Sequence, residues 1–99
     1  MAVYFLDITD DAQEDLSHYR AFERKVIVDD IAVQLADQPD VETKRRKILR
    51  DNPIAQWELR IGRFRVFYEI DANAKIVTVV SVGHKEHNVL HIRGKVVPL

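Results

Sequence analysis

"WELRIGRFRVFYEI", residues 57–70, decides how this chain is read. Gly62 and Arg63 separate two runs in which apolar and polar residues alternate. Glycine at the first of two loop positions is what a type II′ hairpin requires, because that position takes a positive φ. With this turn Ile61 stands opposite Phe64, and every further pair follows. Leu59 faces Val66 and Trp57 faces Tyr68 on one side of the sheet. Arg60 faces Arg65, Glu58 faces Phe67 and Gln56 faces Glu69 on the other. The first side is continuously apolar, so Trp57, Phe64 and Tyr68 are assigned to the core. Phe67 falls on the polar side, where it is expected to be free to stack on a base.

Like charges directly opposite one another cost a sheet about 0.2–1 kcal/mol. Folding alone gives no reason to accept that at Arg60 and Arg65. A bound anion reverses the sign, since guanidinium forks match phosphate oxygens two at a time. The plainer alternative is that Glu58 and Glu69 neutralise the pair on a solvated face. Both readings stay open at this point.

Working outward from the hairpin, the expected strands are 55–61, 64–70 and 75–82, the last reached through the turn "DANAK" (71–75). Upstream, "VYFLDI" (3–8) is short, aromatic and β-branched, which predicts a strand. Thr9 or Asp10 then caps a helix. Asp10 and Gln13 have capping-box spacing, and Asp11, Glu14 and Asp15 suit the positive end of the helix dipole. Ala12, Leu16 and Tyr19 recur at helical spacing, as do Ile27, Ile31 and Leu35. The spacing predicts a helical hairpin ending near Asp37, because Pro39 pushes its predecessor out of helical geometry. Residues 40–53 read as polar and irregular, and "GHKEHNVLHIRGKVVPL" (83–99) carries no clear assignment. The class is α+β: an N-terminal strand, a two-helix hairpin, then an antiparallel three-strand meander, forming one sheet packed on the helices.

The 99 residues suffice for one domain (1–99) with one modest core. An apolar fraction of 46% and a charged fraction of 31% fit a globular chain. There is no cysteine, which excludes disulfides and thiolate metal sites. No apolar run approaches the roughly 20 residues of a membrane span, so no membrane partner is expected. The start, "MAVYFLDI", lacks the basic region of a secretory signal, and a cytoplasmic location is the expectation. The net charge of -1 conceals a segregation. Residues 1–43 hold eleven acids and three bases, whereas residues 44–99 hold twelve bases and five acids. Either the second half meets a polyanion or the two halves attract each other in the fold.

Lys44, Arg45, Arg46, Lys47 and Arg50 form a basic run that reads as a solvated surface or as a path for a nucleic-acid backbone. Arg63 extends it at the hairpin tip. His84, His87 and His91 have spacings found among metal ligands. They lack a supporting carboxylate pattern, so neither metal nor cofactor is expected. Histidine also suits proton transfer near neutral pH. A carboxylate, an arginine and a histidine on one face are sufficient for RNA cleavage without metal. A base takes the 2′-hydroxyl proton, a cation stabilises the phosphorane, and an acid protonates the leaving 5′-oxygen.

Taken together, "YFLDI", an acidic pair of helices, "WELRIGRFRVFYEID" and "VVSVGHKEHNVLHI" resemble the RelE/ParE superfamily of toxins from bacterial toxin–antitoxin systems. The resemblance implies two helices on an antiparallel sheet, similar to small microbial ribonucleases. RelE-like members cleave mRNA, typically on the ribosome, by 2′-hydroxyl attack and without a metal. A cognate antitoxin wraps the toxin, and the complex meets operator DNA through the antitoxin. On this resemblance Arg65 stabilises the reacting phosphate and Lys85 stands where RelE-like members carry arginine. His91 stands at a C-terminal position where they carry tyrosine and some relatives histidine. Gln56 and Glu58 replace two lysines, and Glu58 becomes a candidate general base. Arg60, Arg63, His84, Lys44, Arg45, Arg46 and Lys47 complete the expected RNA contacts. Two other functions accompany the resemblance: ParE-like inhibition of DNA gyrase, and a catalytically weakened, antitoxin-bound corepressor. The lost lysines and a pI of 6.4 favour the latter.

Overall fold

The computed structural model describes residues 3–98. The expected domain over 1–99 therefore extends at each end past the described residues. The elements run β1 (Phe5–Ile8), α1 (Asp10–Ser17), α2 (Ala21–Leu35), β2 (Arg46–Ile48), β3 (Trp57–Ile61), β4 (Phe64–Asp71), β5 (Ile76–Glu86), β6 (Val89–Ile92) and β7 (Lys95–Val96). The α+β class and the β3–β4–β5 meander are those expected.

Gly62 has φ +56°, and the β3–β4 register is the one its turn dictates, from Ile61↔Phe64 to Trp57↔Tyr68. The apolar side of the hairpin packs with Ile27, Ile31 and Leu35 of α2 and with Ala12 and Leu16 of α1. Trp57 and Tyr68 are buried there and Phe64 packs at the margin. The Tyr68 hydroxyl donates to the Pro39 carbonyl at 2.8 Å, which satisfies its one buried polar group.

The helices begin as their caps require. The Thr9 hydroxyl accepts from the Ala12 N–H at 3.1 Å. The Glu23 carboxylate accepts from the Arg20 N–H at 3.1 Å and so closes the start of α2. The break between them falls at residues 18–20, where Arg24 donates back to the Tyr19 carbonyl.

β5 is the central strand. Along one edge it pairs antiparallel with β4. Along the other, its first half pairs parallel with β1 and its last residues antiparallel with β6. A register shift between Phe67 and Tyr68 interrupts the β4–β5 ladder. A Cβ at Gly83 would lie 2.5 Å from the His91 carbonyl oxygen, so β6 crosses there only because the residue is glycine.

Three expectations change. Residues 46–48, read as irregular, form β2 and pair antiparallel with β3. The unassigned C-terminal segment forms β6 and β7 through tight turns at His87–Asn88 (φ +51°, +67°) and Arg93–Gly94 (φ +52°, +74°). These two-residue loops need left-handed angles at both positions, and neither has the Asn-Gly or Asp-Gly sequence that signals them. Phe67, expected to be available to a base, is completely buried. β6, β7 and the segment before β3 cover that side of the sheet, and Phe67, Ala55 and Leu90 form a second small core there.

α1 is fastened to the sheet through a buried carboxylate. Asp15 Oδ2 accepts from Ser81 Oγ at 2.9 Å and from the Val82 N–H at 3.0 Å. Its Oδ1 accepts from Arg93 Nε at 2.5 Å. Replacing Asp15 with Ala leaves the buried Val82 N–H without an acceptor. Urea unfolding of Asp15→Ala should show a loss of about 1–3 kcal/mol. A loss under about 0.5 kcal/mol, the ordinary range of a surface substitution, would show the fastening to be unimportant.

Candidate functional site

The strand register assigns each expected functional residue to one of two faces. Lys47 lies opposite Glu58, Glu58 opposite Phe67, Arg60 opposite Arg65, and Arg65 opposite Gly83. These residues share one face, and alternation along β5 puts Lys85 on it too. His84 lies opposite Phe64 and opposite His91, so both histidines take the other face. The sequence led to the expectation of arginine, carboxylate and histidine on a single face, and the structure separates them. The two groups still share one end of the sheet, because the Lys85 N–H donates to the Arg63 carbonyl at 2.8 Å beside the β3–β4 turn.

On the arginine face Glu58 is 3% exposed. Its Oε2 lies 3.3 Å from Arg60 Nε and its Oε1 lies 3.5 Å from Arg65 Nε. A single carboxylate thus stands between two guanidiniums and relieves the repulsion of the pair. Glu69 is exposed on a later turn of the strand and takes no part in these contacts. Arg65 folds back along its strand, and its Nη1 donates to the carbonyls of Gly62 at 2.8 Å and Phe64 at 2.9 Å. Its Nε is buried and makes no hydrogen bond. Burial pulls the Arg65 guanidinium below the ordinary arginine range, Glu58 opposes that shift, and Arg60 adds to it. The side chain of Arg60 is about half exposed (48%) and points the positive end of this cluster outward.

The basic run does not act as one surface. Arg46 is buried, donating from Nε to the Val41 carbonyl and from Nη1 to the carbonyl and side-chain oxygens of Gln34, each at 3.0 Å. Gln34 lies in the last turn of α2, where carbonyls lack helical partners and a cation is favoured. Arg46 is therefore committed to the fold. Arg45 pairs with Asp30 and donates from Nε to the Arg60 carbonyl at 3.1 Å. Lys44 and Arg50 are exposed, and Lys47 is half-buried beside Glu58.

On the other face the His84 and His91 rings stack with centroids 5.3 Å apart and planes 8° from parallel. His84 Nδ1 and the Tyr19 hydroxyl hydrogen-bond at 2.7 Å, and His84 Nε2 lies 3.7 Å from Glu86 Oε2. Arg63 at the turn tip pairs with Glu23 at 3.0 Å and lies 4.7 Å from the centre of the Phe64 ring. Tyr19 meets Phe64 and His84 edge-on. Burial pushes its hydroxyl up to about 12, so it remains protonated. The sequence marked Tyr19 only as a helical-stripe residue, and nothing local announced a partner 65 positions away.

Burial, the nearby Arg63 cation and His91 lower the His84 pKa, while Glu86 acts in the opposite direction. The folded chain then binds fewer protons at this ring than the unfolded chain below the usual value of about 6.5. Its contribution to stability is present above that value and is lost as the pH falls toward the folded midpoint. A proton NMR titration should give His84 a midpoint below about 6.5. A midpoint above that would mean Glu86 outweighs burial.

The chain as a whole has relatives among known proteins. The family model described as the ParE toxin of type II toxin-antitoxin system, parDE, matches residues 6–89. The structure of the toxin–antitoxin complex RelBE2 from Mycobacterium tuberculosis contains a chain 25% identical to this one. The match has a TM-score of 0.75 and covers 86% of this chain and 94% of that one. A chain of the intact Escherichia coli RelBE complex is 23% identical, with a TM-score of 0.65 over 85% of this chain and 99% of that one. An E. coli RelE mutant bound to a peptide of the antitoxin RelB is 28% identical, with a TM-score of 0.62 over 87% and 86%. No curated protein sequence matches the chain.

Proposed function

From the premise that the chain belongs to the RelE/ParE superfamily of type II toxins, we propose that it is an endoribonuclease that cleaves mRNA on the ribosome and thereby inhibits translation. The observation that carries this reading is the arginine pair on one face of the sheet, Arg65 opposite the half-exposed Arg60, with the single carboxylate of Glu58 between them. Two guanidiniums facing one carboxylate keep a net positive charge that gains from an anion with several oxygens, and a phosphodiester supplies one. Lys85 on the same face adds a point charge where the phosphorane forms, without the arginine fork.

In this reading the strand crosses the end of the sheet at the Gly62–Arg63 turn, with Lys44, Lys47 and Arg63 along its backbone. The 2′-oxygen loses its proton, bonds to phosphorus and expels the 5′-oxygen, which takes a proton from His91 reached over the rim. Glu58 stays the candidate base by type, but its position between two guanidiniums suits it better to holding Arg65 and Arg60 in place. His84 orients His91 by stacking. No metal enters the reaction.

A cognate antitoxin neutralises the toxin in this reading. Phe22, Val26 and Val33 are exposed on α2 at spacings of four and seven residues, and Phe5 is exposed on β1. They offer an apolar surface suited to such a segment. The alternative is gyrase inhibition in the manner of ParE, and one observation favours it. The histidines lie across the sheet from Arg65, an arrangement that a binder without acid–base chemistry tolerates. The catalytically weakened corepressor finds support in Glu58, whose carboxylate occupies the space between the arginines.

Primer extension on a defined mRNA, with and without ribosomes, separates these readings. Wild type should cut on the ribosome, and Arg65→Ala should reduce cutting about 10²–10³-fold, the usual effect of losing one charge-stabilising donor. Cutting by Arg65→Ala at the wild-type rate would remove Arg65 from the site. No cutting by wild type, with inhibition of gyrase supercoiling in parallel, would replace the ribonuclease reading by the gyrase one.

A further inference from the structure

We propose that His84, Glu86 and His91 form a binding site for a divalent transition-metal ion, zinc being the fitting member of the class. His84 and Glu86 are two apart on β5 and so project from one face, and His91 stands directly opposite His84 on β6. One potential donor atom from each of the three lies within 4.8 Å of the others. Atoms bound to one tetrahedral zinc at about 2.0–2.2 Å stand about 3.3–3.6 Å apart, so side-chain rotations that shift the donors by about 1 Å close the set. Glu86 is exposed and free to make most of that movement.

A second observation concerns orientation. Ligating imidazoles almost always engage their other nitrogen with a neighbouring polar group, which fixes the ring and its tautomer. Tyr19 does this for His84: with Nδ1–H donating to the Tyr19 oxygen at 2.7 Å, the lone pair of Nε2 is turned toward Glu86. Two imidazoles and one carboxylate with a fourth position open to water form a donor set of the His₂Glu kind. Imidazole donors favour zinc, nickel and copper over magnesium and calcium.

The histidine spacings in the sequence suited a metal, and the lack of a supporting carboxylate pattern argued against one. The ligating pattern is instead His-x-Glu on one strand with a histidine across the hairpin, and the tight turn at His87–Asn88 supplies that pairing. Occupancy would also engage His91, so the metal-loaded toxin would be inactive. This consequence rests on the ribonuclease reading, whereas the binding does not.

Isothermal titration of the untagged chain with Zn²⁺ should show one ion per chain, and Co²⁺ should give the intense visible absorption of a tetrahedral site. Glu86→Gln, at an exposed position, should keep the circular dichroism of wild type and weaken binding. Tyr19→Phe should weaken it about 10–100-fold, as loss of an orienting partner does. Absence of saturable binding by wild type would overturn the site, as would unchanged affinity in both Glu86→Gln and His84→Ala. The cleavage assay, run with and without saturating Zn²⁺, tests the consequence separately. Loss of cleavage on loading supports it, and undiminished cleavage by a loaded protein overturns it. Absence of cleavage under all conditions overturns the ribonuclease reading and leaves the site to be judged on the titration.

Discussion

Slipping β3 against β4 by one residue would exchange Arg60, Arg65 and Glu58 with Leu59, Ile61 and Val66. The core would then hold two guanidiniums, and an apolar stripe would face away from the helices. Gly62 makes that slip costly. Its φ of +56° belongs to a two-residue loop whose hand matches the twist of the strands, and the register follows from the loop length. The burial of Trp57, Leu59, Ile61, Val66 and Tyr68 along one face then reinforces what the turn began. The side on which the histidines lie is inherited from this hairpin through β5.

With that register fixed, Glu58 becomes a structural necessity. Two opposed arginines, one with only 14% of its side chain exposed, would repel each other in a medium poorer in water than the surface. Leaving a charge buried without a counter-ion costs far more than leaving a pair exposed. The carboxylate between them resolves the conflict while leaving a net positive cluster, since one negative charge faces two positive ones. It also leaves Arg65 Nε without a hydrogen bond. The fold therefore tolerates the arginine pair without completing its hydrogen bonding.

The hairpin, the helix starts and the apolar stripes were legible in the sequence because each depends on residues within a few positions of one another. Thr9 caps α1, Gly62 makes the turn, and Ile27, Ile31 and Leu35 recur with the helical period. What was illegible depends on long-range geometry. Arg46 lies in a basic run that reads as a solvated face, yet it caps the end of α2 because β2 carries it there. Phe67 alternates onto the polar side, yet β6 and β7 return to bury it. Their turns use His-Asn and Arg-Gly, which do not announce left-handed backbone. The candidate site shows the same division: the register placed Arg60, Arg65 and Glu58 together, whereas the Tyr19–His84 contact spans 65 positions.

The opposed charges of the two halves of the chain can now be apportioned. Arg45 pairs with Asp30, Arg63 with Glu23, and Arg93 with Asp15 and Asp11, so part of the segregation is internal attraction between sheet and helices. These contacts account for the acids of α1 and α2 that face the sheet. They do not account for Lys44, Lys47, Arg50, Arg60, Lys75, Lys85 or Lys95, none of which pairs with a helical acid among the described residues. Lys47, Arg60 and Lys85 lie on the face of Arg65, away from the acidic helices, so the field there is not cancelled by the first half of the chain. Internal attraction therefore holds for one set of these cations and not for the other, and the boundary between the two sets is the sheet.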